Sequence, residues 1–238
     1  MHPLEWYKGR WSGQRLFVTA NGPSLVDDYY KLAGHQVMAC NFVLAWKDLP
    51  FLPSMYSCTE PWDHEGQWEF VDRISQDIEH RFVLSASGTM RPPRKNWVVL
   101  PKIQPGGGVG QMDQEGCRPD PPFSTASTTP LNIGVQFGAY MGFTEIFVVG
   151  MELSDGHVYD APPESDRLAY QVMEKPAAKN GWPAGRKQHI INCYRRAKDD
   201  LKLRGVNLVN CTPVGAIADN FGYTPVDDVL GNAGKAAS

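Results

Sequence analysis

Residues Arg15 to Leu25 read RLFVTANGPSL, a short β-branched and aromatic run that ends abruptly in a small polar turn. Leu16 to Ala20 is apolar without clean alternation, the pattern of a strand covered on both faces. Asn21-Gly22-Pro23-Ser24 breaks it. Gly22 has no Cβ and lets a ligand approach the backbone, Pro23 fixes φ, and Ser24 is placed to cap a helix predicted over Leu25 to Leu32. Asp27, three residues on, completes a capping-box pattern. A helix start aimed out of the carboxyl end of a strand offers N–H groups to a phosphate or ribose. A plain strand-turn-helix corner with no ligand uses the same residues, so the rest of the chain has to decide.

Working outward, strands are predicted at Gln36 to Cys40, ending at Asn41, and at Met55 to Glu60. A helix follows from Gln67 to His80, with Phe70, Ile74 and Ile78 at helical spacing. Arg81 to Ser85 and Trp97 to Leu100 read as further strands. Pro130 to Tyr140 reads as a helix with Pro130 in its first turn; Gly134 and Gly138 bare one face for close packing on the sheet. Gly142 ends it, and Glu145 to Gly150 is the clearest strand in the chain. A helix over His189 to Arg204 closes at Gly205 and leads to a last strand, Val206 to Val209. This alternation gives an α/β fold, Rossmann-like, with a mostly parallel sheet flanked by helices, in a single domain over residues 1–238. Met1 to Gln14 carries Trp6, Tyr7 and Trp11 as rings to pack onto that domain. Two long stretches lack periodicity. Ile103 to Ser124 contains Gly106-Gly107-Gly108 but no G-K-[ST], and reads as a mobile surface loop. Residues 154–187 are polar, with prolines at 162, 163, 176 and 183, and read as a lid-like insertion.

The totals narrow the function. The 238 residues are 42% hydrophobic, enough for a substantial core, and the net charge of -3 disfavours a dedicated nucleic-acid binder. No apolar run approaches the roughly 18 residues of a membrane span, and Met1 to Trp11 has no signal-peptide core, so a cytoplasmic protein is expected. The five cysteines are odd in number, widely spaced and without a C-x-x-C pair, as suits reduced thiols better than disulfides or a zinc site. Asn210-Cys211-Thr212 is read as a chance glycosylation sequon.

Asn21-Gly22-Pro23-Ser24-Leu25, Cys40-Asn41, the block Ser127 to Leu153 with its MGFTEIFVVG core, and Gly205 to Asn210 together resemble the bacterial sialyltransferase family. That family transfers sialic acid from CMP-sialic acid onto lipooligosaccharide. The same blocks resemble a related group that includes archaeal 6-hydroxymethylpterin pyrophosphokinases. The resemblance spans about two thirds of the chain and is clearest at the two glycine-bearing strand ends. It implies that Asn21, Gly22 and Ser24 form the nucleotide-contacting turn and that Asn41 is the asparagine after the second strand. Ser127, Thr128 and Thr129 would lie near nucleotide and donor, with Pro130 where the family has a Ser-Gly version. Tyr159 matches one of two lid tyrosines that bind the leaving phosphate, and Ser154 stands at the other. His189 falls at the family's general base, a histidine just before the penultimate helix.

The chemistry supports the same roles. Moving a sugar from a nucleotide to an alcohol needs a base for the hydroxyl proton and donors for the departing phosphate. Histidine suits the first role because its ordinary pKa is near 6.5. His157, at the mouth of the expected lid, is the alternative base. There is no Asp-x-Asp pair to hold a metal on a diphosphate; Asp63-His64-Glu65 and Asp113-Gln114-Glu115 are the nearest forms. A CMP donor has a single phosphate, so a metal-independent glycosyltransferase with no cofactor beyond its nucleotide-sugar substrate is expected. Three other readings stay open. One is a pyrophosphokinase using ATP and magnesium. Another is a nucleotide sensor, which needs neither base nor lid. The third is a glycosyltransferase acting on a modified nucleic-acid base, held by Arg186, Lys187, Arg195, Arg196, Lys198, Lys202 and Arg204, although such a run is ordinarily a solvated helix face.

Overall fold

The structure, a computed structural model, describes residues 3–59, 67–85, 97–101, 112–126, 128–153, 158 and 184–231. The strands are β1 (Arg15–Thr19), β2 (Val37–Cys40), β3 (Met55–Thr59), β4 (His80–Ser85), β5 (Trp97–Pro101), β6 (Glu145–Val149) and β7 (Asn207–Asn210). They form one seven-stranded sheet in the order β5-β4-β3-β2-β1-β6-β7, with every pairing parallel. The chain winds outward from β1 to β5, then returns to lay β6 on the free side of β1, with Thr19 opposite Val149. The direction of winding therefore reverses between β1 and β6. In an open α/β sheet the carboxyl ends at such a reversal frame the ligand crevice.

Both faces of the sheet are covered, as the unalternated apolar run of β1 requires. Leu16 and Val18 point into one layer, with Ile133, Phe137, Ile190 and Tyr194. Phe17 points into the other, with Leu25, Tyr29 and Phe70, and stacks on Phe147 at 5.0 Å. On the first face Pro130–Val135 forms a π-helical turn that runs into α-helix Gln136–Tyr140. A Cβ on Gly134 would stand 2.3 Å from Val18 Cγ1, and one on Gly138 2.7 Å from Leu16 Cδ2, so the bare face does allow this helix to lie against β1. The N-terminal rings dock as expected: Trp11 stacks on Phe143 at 5.8 Å, and Tyr7 meets Phe82 edge-on at 5.2 Å.

Several boundaries differ from the sequence reading. The helix after β3 covers only Gln67–Ile74, and His80 opens β4. Ser75 turns its hydroxyl back onto the Val71 carbonyl and a turn closes from Ile78 N–H to the Ser75 carbonyl, so Ile78 is buried from a turn. The helix after Ser24 is α only over Leu25–Asp28 and tightens to 3-10 geometry over Tyr29–Leu32. Residues 102–111 lie outside the described part, but the rest of the expected surface loop is folded. Met112–Glu115 is helical, and Met112, Cys117, Phe123 and Ser124 are buried. The cause is Gln136, whose Oε1 accepts the Arg118 and Ser124 N–H groups while its NH2 donates to the carbonyls of Ser124, Leu131 and Asn132. The long basic helix runs from Ala184 to Lys202, five residues ahead of its expected start. Gly185 to Gln188 are largely exposed and carry no apolar period to announce it. Residues 184–187 therefore belong to this helix and not to the expected lid, of which 154–157 and 159–183 lie outside the described residues. No helix among the described residues is long and apolar enough to cross a membrane.

Candidate active site

The turn after β1 is fixed by β6. Ala20 N–H donates to the Val149 carbonyl and Gly22 N–H to the Gly150 carbonyl, both at 2.8 Å. Ser24 does not cap the next helix: its backbone is already helical (φ -63°, ψ -13°) and its side chain makes no cap hydrogen bond, which also leaves the Ser24–Asp27 capping box unformed. Instead Ser24 N–H donates to Glu152 Oε1 at 2.7 Å. Glu152, two residues beyond Gly150, is 2% exposed, and its carbonyl accepts the Ala216 N–H. An added Cβ on Gly22 would lie 1.3 Å from Glu152 Oε2. Gly22 is thus required for a buried carboxylate to approach the turn, where the sequence had suggested room for a ligand. The turn's N–H groups are largely consumed, so it is not the phosphate cradle that the sequence suggested.

What the turn leaves open is acceptors. Asn21 Oδ1, Ser24 Oγ and Glu152 Oε2 are buried without a hydrogen-bond partner among the described residues. Leaving a buried acceptor without a partner costs about 1–3 kcal/mol, and more where it is charged. Ligand hydroxyls and amines meet such atoms well; anions do not. Val158 N–H donates to the Asn21 carbonyl at 2.8 Å, so the chain after β6 returns to this turn.

A second group stands over β2 and β3. Asn41 follows β2 with φ +53°, a left-handed conformation that Asn tolerates. Its Oδ1 accepts from Thr129 Oγ1 at 2.7 Å, and Thr129 Oγ1 lies 2.9 Å from Thr59 Oγ1. Thr129 gives its one proton to Asn41, so Thr59 donates to Thr129. The amide NH2 of Asn41 remains as a donor. Thr128 Oγ1 is buried and unpartnered, and Asn132 anchors the loop by accepting the Ala126 N–H on Oδ1.

A third group joins two helices. His189 Nδ1 and Asp113 Oδ2 are 3.0 Å apart, and His189 Nε2 is 3.5 Å from Cys193 Sγ. An ionised carboxylate only accepts, so Nδ1 carries the proton and Nε2 the lone pair that the thiol meets. The imidazole is thereby oriented with Nε2 towards a weak sulfur partner. Burial pushes the Cys193 thiol up to about 12, with the Asp113 charge adding to it. The basic run is partly neutralised: Arg196 on the same helix pairs with Asp200 at 3.0 Å, and Arg204 just beyond its end pairs with Asp120 at 3.2 Å. All five cysteines are free and buried.

Of the residues singled out in the sequence, Asn21, Gly22 and Ser24 stand at the winding reversal, and Asn41 and Thr129 are hydrogen-bonded to each other. Ser127, Ser154, His157 and Tyr159 lie outside the described residues. Four participants have no assigned site role in the sequence reading: Glu152, Thr59, Asp113 and Cys193. Glu152 was legible only as an acid just past the clearest strand, and becomes significant once β6 neighbours β1. Thr59 ends β3 as Asn41 follows β2. Asp113 was weighed only as part of a metal motif, whereas its carboxylate holds the histidine.

No family model matches the chain, and no curated protein matches it in sequence. Solved structures do. The sialyltransferase CstII from Campylobacter jejuni in complex with CMP-3FNeuAc superposes with a TM-score of 0.54 at 13% identity, covering 89% of this chain and 87% of that one. CST-II in complex with a trisaccharide acceptor and CMP superposes with a TM-score of 0.53 at 14% identity, covering 89% and 86%. The likeness to pterin pyrophosphokinases draws no support from these structures. The α/β fold of this chain, with its seven-stranded parallel sheet, is thus the fold of the CstII sialyltransferases.

Proposed function

We propose that this chain is a glycosyltransferase that moves a sialic-acid-like sugar from a CMP-sugar donor to a hydroxyl acceptor, a glycan in the first instance. The observation that carries the reading is the crevice at the winding reversal, crowned by Asn21, Ser24 and Glu152, on a fold whose solved examples include sialyltransferases holding CMP. The acceptors at Asn21 and Glu152, unpartnered among the described residues, suit ribose hydroxyls and the cytosine amine, and the NH2 of Asn41 suits the phosphate. His189, oriented by Asp113, takes the acceptor proton on Nε2 as the Cys193 thiol yields its place. The hydroxyl oxygen then forms the bond to the sugar as the bond to CMP breaks. Thr128 and Tyr159 would meet the departing phosphate, with residues 154–183 closing over the donor to exclude water. The turnover needs no divalent metal, because one phosphate leaves where a diphosphate would need a clamp.

Calorimetry tests the site. CMP should bind the full chain, and Asn21→Ala and Asn41→Ala should each weaken it about tenfold while circular dichroism stays unchanged. Unchanged CMP affinity in both folded variants defeats the assignment. Transfer assayed with a chelator present should persist; activity abolished by the chelator and restored by magnesium would move the chain to the ATP-dependent pyrophosphokinase reading.

A further inference from the structure

His189 and Cys193 are four residues apart on helix Ala184–Lys202, which places both side chains on one face. Asp113 reaches the same spot from helix Met112–Glu115, 76 positions away from His189 in sequence. One donor atom from each of the three lies within 4.8 Å of the others. We propose that Asp113, His189 and Cys193 form a binding site for a thiophilic divalent cation of the zinc class.

Donor chemistry selects the ion. Imidazole with thiolate favours zinc over magnesium or calcium, which take oxygen ligands. Tetrahedral zinc with bonds of about 2.0 Å to nitrogen and 2.3 Å to sulfur separates those two ligands by about 3.5 Å. The His189 Nε2 to Cys193 Sγ separation is 3.5 Å. The carboxylate has capacity to spare, since Asp113 Oδ1 is buried without a partner among the described residues. Its move from Nδ1 onto the ion is a side-chain rotation. Charge balances as well. The thiol gives up its proton to solvent as the S–M bond forms, and thiolate plus carboxylate neutralise the dication in a largely buried setting. Three protein ligands leave a fourth position, on the side where His189 and Asp113 retain 22% and 17% of their side-chain exposure.

The consequence for catalysis rests on the glycosyltransferase reading, in which His189 is the base. A cation on its nitrogen removes the lone pair that the acceptor proton needs, so zinc inhibits a transfer that requires no metal. Cobalt(II) is the probe for the site itself, titrated into the full chain in the absence of donor and acceptor. A thiolate-to-cobalt charge-transfer absorption should grow to one equivalent and be displaced by zinc. Cys193→Ser should abolish the band, and Asp113→Asn should weaken binding by at least about tenfold. His189→Gln supplies the same test should the serine variant not fold. Absence of a thiolate band in the unmodified protein at micromolar cobalt, or a band that survives Cys193→Ser, overturns the site. A thiolate band accompanied by transfer that zinc leaves unchanged would keep the site and instead remove His189 as base.

Discussion

The crevice over β1 and β6 and the cluster around His189 handle polar groups in opposite ways. In the crevice, backbone pairing between the two strand ends fixes the turn, and Asn21 Oδ1, Ser24 Oγ and Glu152 Oε2 are left buried and unpartnered. Around His189 the side chains close on one another, with the imidazole between carboxylate and thiol. In the crevice a ligand that reached these buried acceptors would add bonds to atoms that have no partner among the described residues. In the roles proposed for it, the cluster would act only by exchanging a partner, a thiol for an acceptor hydroxyl or a proton for a cation. Binding and chemistry should therefore separate under mutation.

The largest separation is expected from His189→Ala. Transfer should fall by roughly 10²-fold or more, the usual range for loss of a general base, with CMP affinity nearly unchanged. Normal transfer in this variant would dissolve the division of labour, and a parallel loss of CMP binding would merge the two regions. Glu152→Gln is the converse. The amide oxygen can still accept the Ser24 N–H, but its NH2 replaces the open acceptor. CMP affinity should drop about tenfold or somewhat more, as for a hydrogen bond to a charged group. Equal CMP affinity in calorimetry would show that Oε2 meets no ligand donor. Gly22→Ala comes next, since its Cβ collides with Glu152 Oε2 and stands 2.6 Å from the Gly150 carbonyl. A stability loss of about 1–3 kcal/mol in urea is expected, with CMP binding impaired as Glu152 is displaced. A stable variant with intact CMP binding would mean that the carboxylate can leave the turn at no cost.

How much of this could be read from the chain follows the same division. The crevice was legible because RLFVTANGPSL announces both its strand and its turn, and Asn41 follows a second strand in the same way. Glu152 was not, because nothing local to β6 says that it pairs with β1; that neighbour is a fact of topology. The cluster was legible at His189 but silent at Asp113 and Cys193. Asp113 meets His189 across 76 positions, through a segment whose glycines and prolines read as a surface loop until Gln136 is seen holding it, and Cys193 gains meaning only once His189 on the same helix face is known to turn towards it. Helix boundaries failed where side chains override period, as at Ser75, or where a first turn is polar throughout, as at Gly185 to Gln188.

A last effect concerns the core beneath both regions, and its sign follows from burial. Burial pushes the thiols of Cys40, Cys117 and Cys211 from 9.0 up to about 12. The Tyr7 phenol rises from 10.0 to about 12, again by desolvation, with the charge of Glu79 adding to it. Well below pH 9 these thiols hold their protons in folded and unfolded chains alike, and their contribution to stability is fully present. Between about 9 and 12 the unfolded chain releases protons that the folded one keeps, so stability falls as pH rises through that window. The urea midpoint should thus be lower at pH 10 than at pH 7. Cys40 lies at the end of β2 beside Asn41, and Cys211 follows β7, so both sit under the crevice side of the sheet. In a Cys40→Ala, Cys211→Ala double variant the alkaline drop should shrink, even though the variant is less stable at pH 7. A drop of the same size in that variant would assign the alkaline loss to other groups. Should CMP binding fade at alkaline pH well before the urea midpoint moves, the crevice would prove to open independently of the core that supports it.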